Sequence, residues 1–160
     1  YVVGRSLPEL GGSLWARLGE SAGLAVPAPN PRLTRRLGEK LLALGAAGRL
    51  RSVHDVSDGG LAVTLAEMAF GGSLGFEVDL AATLLEAPAQ ALAVEGGSRW
   101  VVEVPPAWTD AFEASFRGLP TARLGEVTEG DGVLRWQGET VGRVDLQRLY
   151  SPWRAGLGVP

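Results

Sequence analysis

The chain has 160 residues, 46% apolar and 21% charged, the proportions of an ordinary folded domain that can bury its own core. The absence of cysteine excludes disulfides, thiolate metal centres, iron–sulfur clusters and cysteine nucleophiles. A net charge of −3 and a pI near 5.2 speak against nucleic acid as a partner, and no apolar run reaches the ~18 residues of a membrane helix.

Tyr1-Val2-Val3-Gly4-Arg5 is neither a methionine start nor a charged, apolar leader, so we expect a cytoplasmic piece of a longer chain. Lys40 is the one lysine among fifteen basic residues, the bias of a GC-rich coding sequence. Glycine (23) and proline (10) make up about a fifth of the residues, so many turns should separate short elements.

Tyr1-Val2-Val3 reads as a strand that leads into a loop carrying Gly11-Gly12-Ser13, with a helical turn over 14–18. Pro27, Pro29 and Pro31 stiffen the chain ahead of a helix that Asn30 caps. Leu33, Leu37, Leu41 and Leu44 form the buried stripe of that helix, and Gly45 and Gly48 end it. Residues 50–56 alternate as a strand, and residues 61–70 follow as a helix with Asp58 as N-cap and Leu61, Leu65 and Met68 buried. Gly71-Gly72 stops it before a strand over 76–80.

Residues 81–90 are weakly patterned, a short helix running out into a loop at Pro88. A strand over 100–104 precedes a helix over 108–116, in which Trp108, Phe112 and Phe116 share a face. Three short strands follow over 123–127, 133–136 and 140–144, and the tail from Asp145 frays at Gly156, Gly158 and Pro160. Strands interleaved with helices predict a layered α/β or α+β arrangement, one domain over residues 1–160. Gly-Gly-Ser recurs at 11–13, 71–73 and 96–98, at unequal intervals, as turns require rather than as a repeat.

The stretch with chemical content is His54-Asp55-Val56-Ser57-Asp58-Gly59-Gly60-Leu61, where a strand enters a helix N-terminus through a polar turn. Amides at a helix start carry partial positive charge and suit phosphate, and Gly59 and Gly60 let a ligand approach the backbone. A serine hydroxyl such as Ser57 can donate to a phosphate oxygen, and an aspartate beside it can hold the magnesium that bridges that phosphate. Asp58 is read as the cap rather than a ligand, and His54 as a hydrogen-bonded packing residue rather than a general base.

Residues 54–70, His-Asp-Val-Ser-Asp-Gly-Gly-Leu-Ala-Val-Thr-Leu-Ala-Glu-Met-Ala-Phe, closely resemble the C-terminal domain of the phosphoribosylformylglycinamidine synthases. Glu9 to Ser13, Gly72 to Leu80 and Glu95 to Val102 match further family segments in order, although Gly96 stands where the family carries serine. The resemblance implies the α+β fold of the C-terminal domain of aminoimidazole ribonucleotide synthetase, a mixed sheet flanked by helices. It also implies a part in the ATP-dependent conversion of formylglycinamide ribonucleotide to formylglycinamidine ribonucleotide in purine synthesis.

By that resemblance Asp55 corresponds to a magnesium ligand of an auxiliary ATP/ADP site, with Ser57, Gly59 and Gly60 at the nucleotide. The catalytic histidine and main metal ligands of the family lie in other domains, so no residue here is assigned a catalytic role. The expected partners are the remaining synthase domains, a small accessory subunit and a glutaminase. The alternative is a scaffold that docks the catalytic domains and has no ligand site of its own.

Overall fold

The computed structural model describes residues 1–19 and 25–156. One sheet lines up β2 (Ser52–Asp55), β4 (Trp100–Glu103), β1 (Val2–Val3) and β5 (Thr121–Ala122), and every pairing in it is antiparallel. A second lines up β6 (Gly125–Thr128), β3 (Gly75–Asp79), β7 (Gly132–Trp136) and β8 (Glu139–Val144). Its β3–β7 pair is parallel and its outer pairs antiparallel, so this is the mixed sheet of the expected α+β class. The first, antiparallel sheet is an addition to the expected single sheet.

Side chains on a strand alternate between faces, and the first sheet uses both of its faces. Val2 and Val101 join a core with Leu61, Leu65 and Ala69 of α3 (Gly60–Gly72) and with Phe76 and Val78 of the second sheet. Val3 and Val102 join a separate core with Leu37 and Leu41 of α2 (Pro31–Ala46), Phe112 of α5 (Thr109–Ser115) and Phe116. Helix α3 therefore bridges the two sheets, while α2 and α5 cover the far face of the first. Each fully buried leucine, such as Leu37 or Leu61, contributes roughly 1.5–3 kcal/mol.

Helix α2 starts as its sequence requires: Asn30 Oδ1 accepts from the Leu33 amide at 3.1 Å, and Pro31 occupies the first helical position. It runs through Gly45, and the left-handed Gly48 (φ +66°) ends it. Likewise α3 continues through Gly71-Gly72 to a left-handed Ser73. The short helix α1 (Leu14–Arg17) is capped by Ser13. Ser13, Ser73 and Ser98, the last residues of the three Gly-Gly-Ser stretches, thus sit at an N-cap, a C-cap and a left-handed turn.

Several expectations are corrected. Pro88 opens helix α4 (Pro88–Ala93) rather than a loop, because a proline at the first helical position gives up no hydrogen bond. Trp108 lies in a 3-10 turn ahead of α5 and stays 39% exposed beside Arg49, while Phe112 and Phe116 are buried. Of the expected strand over 123–127 only 125–127 is extended, inside β6, and the buried Leu124 lies between it and the short β5.

The tail from Asp145, mixed apolar and charged in sequence, is helical as far as Gly156. It forms α6 (Leu146–Gly156), capped by Asp145 Oδ1 on the Arg148 amide at 2.8 Å. Pro152 is tolerated inside that helix, where Tyr150 and Trp153 pack on Phe70 of α3 and the Trp153 indole donates to Glu67 at 3.0 Å. Gly158 and Pro160 lie outside the described residues.

Asp79 ties the second sheet together. Its Oδ1 accepts from Ala81 and Gln137 at 2.9 and 3.1 Å, and its Oδ2 from Gly138 at 2.8 Å. Burial pushes this carboxyl up, but the three amides outweigh it and hold it below the usual carboxylate range. A carboxyl lowered in the folded state stabilises above its unfolded pKa and loses that contribution as pH falls through the folded value. Asp79→Ala is expected to cost about 1.5 kcal/mol at neutral pH and progressively less in acid, as read by urea unfolding at pH 7 and pH 3.

Candidate functional site

The turn at residues 55–60 is built from the end of β2. Val56 is buried, and its amide donates to the Arg99 carbonyl at 3.0 Å, which carries the sheet pairing one residue past the strand. The alternation then leaves Asp55 and Ser57 on the solvent side, both exposed. Their side chains meet: the Ser57 hydroxyl donates to the Asp55 carboxylate and holds it below the usual carboxylate range. The two residues singled out for metal and nucleotide are thus neighbours in space at the entrance to α3.

The His54 ring stands beside this pair, its Nδ1 3.8 Å from the Asp55 carboxylate. Its Nδ1 lies 2.7 Å from the Asp55 carbonyl and its Nε2 lies 3.3 Å from a Glu67 oxygen, in line with its reading as a hydrogen-bonded packing residue. The Thr64 hydroxyl also reaches the Asp55 carbonyl, at 3.2 Å. The backbone ahead of the exposed pair is therefore clamped from α3.

Gly59 and Gly60 both take left-handed φ values, +80° and +65°. Their amides are already engaged: Gly60 donates to the Ser57 carbonyl at 3.0 Å and Gly59 to Glu95 Oε1 at 2.8 Å. The glycines thus serve the shape of the turn, and neither amide is bare. Asp58 is not the N-cap of α3. Gly59 holds that position without a side-chain bond, because the left-handed glycine turns the chain so that the exposed Asp58 side chain makes no cap contact. The amide of the cap residue Gly59 is itself taken by Glu95, from 36 residues away. The only advance signal for Glu95 was membership of the Glu95–Val102 segment.

A second feature lies elsewhere. A cleft of about 480 Å³ opens between the two sheets, lined by apolar side chains such as Leu65, Met68, Phe76 and Leu124, with Arg51 and Glu103 among its charged members. No residue of the 54–60 turn lines it. Among the described residues no group of three or more His, Asp or Glu side chains could hold a metal ion. No helix among them is long and apolar enough to cross a membrane.

Comparison with known proteins agrees with this architecture. The chain is 35% identical over 162 residues to the phosphoribosylformylglycinamidine synthase subunit PurL of Thermoplasma volcanium, covering 98% of this chain and 20% of the relative. It is 38% identical over 153 residues to the PurL subunit of Thermococcus gammatolerans, covering 94% and 21%. The chain thus spans about a fifth of the length of the curated relatives it matches.

Among solved structures, Thermotoga maritima PurL complexed with FGAR superimposes with a TM-score of 0.76 at 20% identity, over 92% of this chain and 27% of that one. The hydrogenase maturation protein HypE gives a TM-score of 0.60 at 19% identity, over 90% and 51%. These two share the fold. The family described as AIR synthase related protein, C-terminal domain, matches residues 1–137, and the chain belongs to that family.

Proposed function

We propose that this chain is the C-terminal domain of a PurL-type phosphoribosylformylglycinamidine synthase, and that its 55–60 turn holds a magnesium-bound adenine nucleotide. The observation that carries the nucleotide reading is the exposed Asp55–Ser57 pair at the mouth of α3. The family reading rests on the PurL relatives and on fold likeness to T. maritima PurL, solved in complexes with ATP and with ADP.

The donor set fits a magnesium ion carried on its nucleotide. Magnesium takes oxygen ligands and is commonly held by one or two carboxylates plus the phosphates themselves. Asp55 supplies one ionised carboxylate, kept deprotonated by Ser57, and the remaining ligands would come from phosphate and water. Bound there, the ion would neutralise phosphate charge. The chain's own residues would orient it: Val56 anchors the turn, Thr64 and His54 hold the Asp55 backbone, and the left-handed Gly59 and Gly60 set the path of the chain into α3.

In this reading no residue of the chain is catalytic, and the chain by itself does not turn over formylglycinamide ribonucleotide. It acts in the cytoplasm within a synthase whose other domains carry the chemistry, with an accessory subunit and a glutaminase as further partners. A solved PurLQS assembly from T. maritima shares the fold. The second reading, a scaffold without a ligand site, draws on the apolar cleft between the sheets, which suits docking against another domain.

Titration of Mg–ADP followed by thermal shift separates the two, because a ligand of the native state raises its stability in step with concentration. Asp55→Asn is expected to weaken Mg–ADP by at least about tenfold by removing the charge on the metal. Ser57→Ala removes one hydrogen bond and should weaken it by roughly 2- to 10-fold. A wild-type chain indifferent to millimolar Mg–ADP would leave the scaffold reading in place.

A further inference from the structure

We infer that Glu95 is the positioning residue of the 55–60 turn. Its single oxygen Oε1 accepts two backbone amides from different parts of the chain, Gly59 at 2.8 Å and Leu14 at 2.7 Å. Gly59 precedes α3, and Leu14 follows the Gly11-Gly12-Ser13 loop at the start of α1. One carboxylate therefore joins three stretches distant in sequence: the start of α1, the turn carrying Asp55 and Ser57, and its own segment after α4.

The strut has a rigid footing. Val94, beside Glu95, is fully buried, and its carbonyl accepts Nη1 of the buried Arg99 at 3.1 Å. The Arg99 carbonyl in turn accepts the Val56 amide at 3.0 Å, so the 94–99 segment grips the turn on both sides of Ser57. Gly60 presses on the same segment: a Cβ there would stand 2.5 Å from the Leu92 carbonyl oxygen and 2.8 Å from that of Val94. Ser98 sits in a left-handed conformation at φ +66°, with its hydroxyl against that of Thr34 in α2.

The cap residue Gly59 offers no side-chain bond to α3, and Glu95 holds its amide from outside the turn. A carboxylate on helix-start amides gains from both the hydrogen bond and the helix field. Two amides on one oxygen also fix the turn in two directions, which sets where Asp55 and Ser57 stand. This role deepens the nucleotide reading and rests on it for its binding consequence.

The test uses Glu95→Ala and Glu95→Gln in the 160-residue chain, with amide hydrogen exchange by NMR and Mg–ADP titration as separate readouts. Glutamine keeps a carbonyl oxygen that can accept both amides, whereas alanine keeps none. Glu95→Ala should lose exchange protection at Leu14 and Gly59 together, with the interior of α3 still protected, and Glu95→Gln should restore both. In the same samples Glu95→Ala should weaken Mg–ADP by about 10- to 100-fold, the usual loss when a supporting partner is removed, and Glu95→Gln should stay within about threefold of wild type.

Unchanged protection at Leu14 and Gly59 in Glu95→Ala would overturn the strut. Lost protection with unchanged Mg–ADP affinity would overturn its positioning role. A wild-type chain that binds no Mg–ADP would overturn the nucleotide reading and with it the binding consequence, while the exchange arm still decides the strut.

Discussion

Gly60→Ala is expected to destabilise the fold by roughly 3 kcal/mol or more, the sum of a strained backbone and a backbone clash. Gly60 opens α3 at φ +65°, a conformation in which a Cβ is unfavourable whatever the space around it. The space is also filled by main chain: the Leu92 and Val94 carbonyl oxygens at 2.5 and 2.8 Å and the Ala93 carbonyl carbon at 2.9 Å. Those atoms belong to a segment whose Ala93 and Val94 are buried, so they cannot swing aside as a surface side chain would.

Gly71 provides the internal comparison within the same helix. A Cβ at Gly71 meets nothing within 4 Å, so Gly71→Ala should raise stability by up to about 1 kcal/mol through helix propensity alone. Urea unfolding of the two variants should therefore move the midpoint in opposite directions. A Gly60→Ala protein within 1 kcal/mol of wild type would mean that the turn is not pressed against residues 92–94.

The parts of the fold that were legible in the sequence are those settled by neighbours along the chain. Asn30-Pro31 with leucines every third or fourth residue is enough to start α2 and choose its buried face, and Asn30 caps it as expected. The turn after β2 was legible too, since an alternating strand that meets Asp-Gly-Gly ahead of an apolar helix has few other ways to fold. The alternation also brought Asp55 and Ser57 to one side, where their side chains bond.

What stayed hidden depends on contacts between distant residues. An acid before two glycines has the look of a helix cap, yet the left-handed Gly59 holds the cap position and its own amide goes to Glu95 across 36 residues. No local pattern announces that exchange. Helix α6 carries the breaker signals Pro152 and Gly156 in its sequence, and what offsets them is an aromatic face on Phe70 and an indole bond to Glu67. Propensity yields here to tertiary packing.

Arg99→Met is expected to stabilise the chain by about 2 kcal/mol at neutral pH, although it removes a charged residue from a family segment. Arg99 is 1% exposed, and among the described residues its Nε and Nη2 have no hydrogen-bond partner. Burial pushes the guanidinium down from its usual strongly basic range to about 10. A base whose pKa is lowered on folding carries its penalty at and below the folded value, and the penalty is relieved only as pH climbs from there toward the unfolded value. At pH 7 the whole cost is present, about 3 kcal/mol for a shift of this size. Methionine follows the path of the aliphatic stem, removes the buried charge and forfeits the Nη1 bond to Val94, worth about 1 kcal/mol. The balance favours the variant. Urea unfolding should show Arg99→Met more stable than wild type at pH 7, with the gap narrowing above pH 10. Arg99→Lys, which keeps a charge but brings a shorter donor array, should gain nothing. If Arg99→Met were instead destabilised by more than about 1 kcal/mol, the buried guanidinium would have to be compensated by an acceptor, and Nε and Nη2 would be where to seek it.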